Sequence, residues 1–127
     1  MPKRDLIVRL DDIDKMIGKV EDMQKEIGTL DAFKRSIPFQ LAFERAYEII
    51  GEALYKIKKE FDPSGITDLD KIVSLRHLLA HDYFKVDHEL LWAFTEKFLP
   101  LLKQQIREAL INEKIRLIVS ADPKLDI

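Results

Sequence analysis

Side chains that could act on a phosphate ester lie close together between Arg76 and Tyr83, with His77, His81 and Asp82 between them. The planar guanidinium of arginine fits phosphate oxygens, and histidine can transfer protons at neutral pH. These residue types suit RNA cleavage without a metal ion. In that reaction a base takes the ribose 2′-OH proton, an acid protonates the leaving 5′ oxygen, and a cation stabilises charge on phosphorus.

The spacing of these residues leaves His81 without a partner for acid–base catalysis. On a continuous helix, His81 would lie about 140° round from Arg76, so we expect the helix to bend or end near His81. One histidine cannot easily act as both base and acid in a single pass. A two-fold dimer that brings two copies of the segment together would supply two histidines and two arginines to one cleft.

Other readings of the same residues remain open. A lone arginine near a helix end is more often a surface or salt-bridge residue, and a lone histidine is more often structural. Tyr83 could simply pack its ring and form a hydrogen bond. His77 and His81 also have the i, i+4 spacing of a metal-binding pair on a helix. A third ligand would then come from one of three neighbours, Asp82, Asp87 or His88.

Length and composition limit the classes of protein to which the chain can belong. Its 127 residues are enough for one domain, and the four Gly and five Pro are few for a many-stranded fold, so we expect an all-α protein. The absence of cysteine excludes disulfides and thiolate chemistry. A net charge of −2 argues against binding of nucleic acid through a broad positively charged surface. The charged N-terminus and the lack of a long apolar run predict a soluble, cytoplasmic protein with no membrane partner.

Hydrophobic periodicity and capping residues predict an up-and-down bundle of four main helices and a short one. We assign residues 1–119 to this domain and residues 120–127 to a frayed tail. The large apolar content favours an oligomer interface. The first predicted elements are a long helix from Pro2 to near Gly28 and a short helical turn capped by Thr29 or Asp31. A second long helix follows, with Pro38 in its first turn, and then a loop at residues 61–65. The remaining elements are a helix from Thr67 toward the motif and a last long helix that is capped by Asp87 and kinked at Pro100.

The order Arg76, four residues, His81, one residue, Tyr83 resembles the R-x4-H-x-Y signature of the HepT-like toxins in the HEPN superfamily. Four blocks extend the resemblance across roughly residues 3–110: RDLIVRLDDI near the start, YEIIGEA at 47–53, SLRHLLAHDYF around the motif, and FLPLLKQQI. Family members usually have Asn after the motif arginine, where this chain has His77. They often have a polar residue where this chain has Ala46.

The resemblance implies an all-α HEPN bundle that forms a homodimer, with a metal-independent endoribonuclease site at the dimer cleft. It implies that Arg76 and His81 are catalytic, with His77 and Asp82 as candidate auxiliary residues. A cognate minimal nucleotidyltransferase antitoxin would add AMP to Tyr83, as in a type VII-like toxin–antitoxin system, and place negative charge where an RNA phosphate should bind. No cofactor and no metal are expected. The alternative is a non-catalytic helical binding partner of a nucleotidyltransferase.

Overall fold

The computed structural model describes residues 2–60 and 87–121, with side chains from residue 5 onward, and every described element is a helix. The predicted all-α fold is therefore confirmed. The predicted loop at 61–65 and the predicted helix from Thr67 lie outside the described residues. The helices are α1 (Pro2–Ile27), α2 (Leu30–Lys34), α3 (Ile37–Glu60), α4 (His88–Lys97) and α5 (Leu99–Ala121).

The first turn between helices follows from one glycine and one threonine. Gly28 has φ +82, the left-handed conformation that ends many helices, and its N–H donates to the carbonyl of Gln24 at 2.9 Å. Thr29 then caps α2, where its hydroxyl accepts a hydrogen bond from the Ala32 N–H at 3.2 Å. The sequence left the cap open between Thr29 and Asp31, and the structure selects Thr29.

The short helix α2 is held at its C-terminal end by α3. The side-chain amide of Gln40 donates to the carbonyls of Phe33 and Lys34, both at 2.9 Å. These carbonyls belong to the last turn of α2, where helical carbonyls lack partners within their own helix. These two hydrogen bonds therefore fix α2 against the start of α3, and the Phe33 ring is fully buried in the core.

Pro100 divides the last predicted helix. The structure has two helices, α4 and α5, separated at Phe98, where the sequence predicted one kinked helix. Proline has no N–H to donate to the carbonyl of Glu96, and its ring crowds that carbonyl. The chain nevertheless continues in a helical direction, because Phe98 N–H donates to Phe94 at 2.8 Å and Leu102 N–H donates to Phe98 at 3.0 Å.

Helix α1 lies between α3 and α5 and runs antiparallel to both. Arg9, near the start of α1, contacts Glu60 at the end of α3, with Nη2 3.3 Å from Oε2. On the other side, Lys103 of α5 contacts Glu21 at 2.9 Å, and Arg107, one turn later in α5, contacts Asp14 at 3.1 Å. Such surface ion pairs contribute little stability, but they report the directions of the helices.

The core lies along the inner face of α1, where it packs against α3 and α5, and α4 extends it through contacts with α2 and α5. Among the residues described, no helix is both long and apolar enough to cross a membrane. Helix α5 runs through Ala121. The fully buried core side chains, from largest to smallest, include Tyr47, Phe33, Phe43, Leu10, Ile13, Ile17, Ile50, Leu54, Ile57, Leu91, Leu99 and Ile106.

Candidate functional site

The residues predicted to form the site lie outside the described part of the chain. Arg76, His77, His81, Asp82 and Tyr83 all belong to residues 61–86. Their roles therefore stay predictions. The structure does describe the helices on either side of this segment, α3 before it and α4 after it, and the contacts that fix those two helices together.

Helix α4 begins with a defined cap. The carboxylate of Asp87 accepts a hydrogen bond from the Leu90 N–H at 3.0 Å, and Asp87 has the extended backbone of an N-cap residue. The cap that the sequence predicted at Asp87 is confirmed. A capped first turn gives α4 a fixed starting point at residue 88, directly after the segment that carries the motif.

A cluster of aromatic rings packs α4 against α2 and α3. The ring of Phe33 lies 4.6 Å from that of Phe43 and 5.4 Å from that of Trp92, measured between centroids. The rings of Phe43 and Trp92 stack at 6.3 Å with an interplanar angle of 15°. Offset and tilted aromatic pairs each add about 0.5–1.5 kcal/mol beyond the area that they bury. The cluster therefore makes the start of α4 a rigid support.

His88 joins this cluster and also forms a hydrogen bond with α3. Its ring meets Phe33 edge-on at 5.9 Å, and its Nε2 lies 3.2 Å from Oε1 of Glu44. Both side chains are partly buried, with 29% and 19% of their surface exposed. A carboxylate in this position orients the imidazole and selects the ring nitrogen that carries the proton.

The sequence did not predict the Glu44–His88 pair, and it indicated His88 only as an alternative metal ligand. Their separation of 44 residues in the chain gives no local signal. Asp87 caps α4 and His88 contacts Glu44, so both of these alternative ligands already have other partners. The described residues contain no cluster of three or more groups that could hold a metal ion.

A second polar contact between α3 and α4 is fully buried. The hydroxyl of Tyr47 lies 2.5 Å from that of Thr95, and Thr95 donates its own proton to the carbonyl of Leu91 at 2.8 Å. Tyr47 is therefore the donor to Thr95. Burial raises the pKa of Tyr47 well above its usual value, and the hydrogen bond with Thr95 offsets this only in part. This neutral pair fixes the register of α4 on α3.

Comparison with known proteins identifies the class to which this fold and motif belong. The family model described as "Ribonuclease HepT-like" matches residues 13–109, a range that includes the segment from Arg76 to Tyr83. Because the match covers most of the chain, the protein belongs to the HepT-like family, and the resemblance seen in the sequence is confirmed.

Two curated proteins are similar to the chain. "Putative RNase TTE0752" of Caldanaerobacter subterraneus subsp. tengcongensis is 38% identical over 74 residues, which are 58% of this chain and 66% of that protein. "Putative RNase MJ1380" of Methanocaldococcus jannaschii is 36% identical over 63 residues, which are 49% of this chain and 58% of that protein. The matches thus span about 58–66% of the length of these relatives. No solved structure matches the chain.

Proposed function

We propose that this protein is a metal-independent endoribonuclease, the toxin of a type VII-like toxin–antitoxin pair. The observation that carries the proposal is the family match across residues 13–109, which contains the complete R-x4-H-x-Y motif. Both similar proteins bear the name RNase. An all-α scaffold with a rigidly packed α3–α4 support agrees with this class of protein.

In the proposed reaction, His81 acts on protons and Arg76 acts on the phosphate. One His81 imidazole takes the proton of a ribose 2′-OH, and the 2′ oxygen attacks the adjacent phosphorus. The bond from phosphorus to the 5′ oxygen breaks, and the His81 imidazolium of the second subunit protonates that oxygen. The guanidinium of Arg76 stabilises the extra negative charge on the phosphate oxygens. The products are a 2′,3′-cyclic phosphate and a 5′-hydroxyl.

This assignment requires a homodimer in which two copies of the motif share one cleft. His77 and Asp82 are the auxiliary candidates beside the catalytic pair. Tyr83 is the proposed acceptor of AMP from a cognate nucleotidyltransferase. Adenylylation would add a negatively charged phosphate and a bulky nucleoside, which together exclude the RNA phosphate from the site.

The test of the chemistry is RNA cleavage by protein purified without its partner, in buffer that contains EDTA. We expect cleavage to persist in EDTA and its products to carry 5′-hydroxyl and cyclic phosphate ends. Cleavage that needs added Mg²⁺, or that leaves 5′-phosphate ends, contradicts the metal-free mechanism. RNA binding without any cleavage favours the alternative, a non-catalytic partner of a nucleotidyltransferase.

The modification is tested separately by intact-mass measurement after co-expression with the cognate nucleotidyltransferase. We expect mass increments equal to added AMP in the wild type and none in Tyr83→Phe. Increments that persist in Tyr83→Phe would move the modification to another residue and contradict this part of the proposal.

A further inference from the structure

Three polar side chains on one face of α3 bind the neighbouring helices α2 and α4. Gln40, Glu44 and Tyr47 fall within an arc of about 60° around the helix axis. Gln40 binds carbonyls in the last turn of α2. Glu44 contacts His88, the first residue of α4, and Tyr47 contacts Thr95, about two turns later in the same helix. These contacts fix both the start and the second half of α4 relative to α3.

The contact between Glu44 and His88 lies where the chain returns from the motif. Residues 61–86, which we call the motif segment, precede α4, and His88 is the first helical residue of α4. An extended chain spans at most about 3.6 Å per residue, so the Cα atom of His88 lies within about 18 Å of that of Tyr83 and within about 25 Å of that of His81. A contact that fixes His88 therefore limits where these two side chains can be placed.

The burial of the Glu44–His88 pair indicates a role in positioning more than in stability. The side chains are 19% and 29% exposed, so each loses much of its contact with water and needs the other as a partner. Replacing a buried charged pair by apolar residues is often neutral or stabilising, and the best supported use of such a pair is to fix register. The hydrogen bond of 3.2 Å is directional, and the Phe33 ring, edge-on to the imidazole at 5.9 Å, further limits its orientation.

The contact described at the opposite end of the motif segment is more exposed. Glu60, the last residue of α3, is 46% exposed, and its carboxylate lies 3.3 Å from Nη2 of Arg9. Exposed ion pairs of this kind contribute little, because water and salt screen them. Of these two contacts, the Glu44–His88 hydrogen bond should therefore have the larger effect on the motif segment.

We infer that the hydrogen bond between Glu44 and His88 positions the motif segment for RNA cleavage, an inference that rests on the proposed function. Glu44 and His88 are then positioning residues, and neither contacts the RNA in this role. Glu44 acts through His88, and His88 acts through the chain that joins it to Tyr83 and His81. A displacement of reacting groups by about 1 Å can slow a reaction about 100-fold, even when the altered residue is far from the chemistry.

The first test compares RNA cleavage by three variants, each shown by circular dichroism to be folded. Glu44→Ala should lower kcat about 10- to 100-fold with little change in KM. Glu44→Gln should retain most of the wild-type kcat, since its amide can still form a hydrogen bond with the His88 ring.

Glu21→Ala is the matched control for Glu44→Ala. Glu21 is 28% exposed and pairs with Lys103, and the two helices that this pair joins, α1 and α5, do not adjoin the motif segment in the chain. Its kcat should equal that of the wild type. An unchanged kcat in Glu44→Ala, or an equal loss in Glu21→Ala, overturns the inference.

The pH dependence of cleavage separates positioning from proton transfer. His88→Phe keeps an aromatic ring beside Phe33 and removes the hydrogen bond to Glu44. Its kcat should fall as in Glu44→Ala, while the shape of the pH–rate profile stays that of the wild type. Loss of one limb of the profile would make His88 an acid–base group and overturn the positioning role.

Trypsin provides a readout that does not depend on RNA. Lys85 lies three residues before His88, and proteolysis of a folded chain requires local opening around the cleaved bond. Glu44→Ala should speed cleavage after Lys85, and Glu21→Ala should not. An unchanged rate in Glu44→Ala overturns the inference, whatever the RNA result. A wild type that cleaves no RNA contradicts the proposed function and the role in cleavage together, whereas faster trypsin cleavage in Glu44→Ala still supports the anchoring of the segment by this bond.

Discussion

Replacement of Thr95 by valine removes the hydroxyl that accepts the hydrogen bond from Tyr47 in the core between α3 and α4. Valine keeps the shape of the side chain, so the main effect is a buried tyrosine hydroxyl with no acceptor. An unsatisfied buried donor costs about 1–3 kcal/mol. Tyr47→Phe should cost less, about 1 kcal/mol, because Thr95 keeps its bond to the carbonyl of Leu91.

The double variant, Tyr47→Phe with Thr95→Val, separates this explanation from a simple loss of packing. It removes both polar groups at once and leaves no unsatisfied donor, so it should be more stable than Thr95→Val alone. We therefore expect a coupling free energy of about 1 kcal/mol or more between the two positions. Free energies of unfolding are measured by urea denaturation at one protein concentration, because self-association would shift them. If the changes in unfolding free energy of the two single variants sum to that of the double variant within about 0.5 kcal/mol, the assigned hydrogen bond is refuted.

Two further predictions concern the glycines within and just after α1, and the ionisation of Tyr47. A Cβ at Gly18 meets no atom within 4 Å, so Gly18→Ala should stabilise the protein by up to about 1 kcal/mol, whereas Gly28→Ala, at φ +82, should destabilise it by about 1 kcal/mol. Urea denaturation measures the change in the free energy of unfolding for each variant. Changes of the same sign for the two variants would contradict the helix end at Ile27. Burial raises the pKa of Tyr47, so the folded state keeps a proton that the unfolded state loses near pH 10. Stability from this group is fully present below about pH 10 and is lost above it, and Tyr47→Phe should flatten the alkaline decrease measured between about pH 9 and 11. An equal decrease in the variant would contradict the raised pKa.

Local signals in the sequence predicted the helices well. The end of α1 at Gly28, the short helix after Thr29 and the cap at Asp87 each depend on residues close in the chain, and the structure confirms them. Pro100 predicted a disturbance at the right place, although the structure shows two separate helices. Helix ends are set by caps and by proline, which a sequence displays directly.

Contacts between distant residues could not be predicted in the same way. Tyr47 and Thr95 are 48 residues apart, and Glu44 and His88 are 44 residues apart, so their pairing depends on how α4 packs against α3. The site itself was predicted from the motif and the family resemblance, and its residues lie outside the described part of the chain.

The most direct test of the ribonuclease proposal is the rate of RNA cleavage by His81→Ala and by His77→Asn, each compared with the wild type in EDTA. His81→Ala should be about 10²–10⁴ times slower, because it removes the proposed acid–base group. His77→Asn places the usual residue of the family after the motif arginine and should retain most of the wild-type rate. Cleavage by His81→Ala at the wild-type rate would contradict the catalytic assignment.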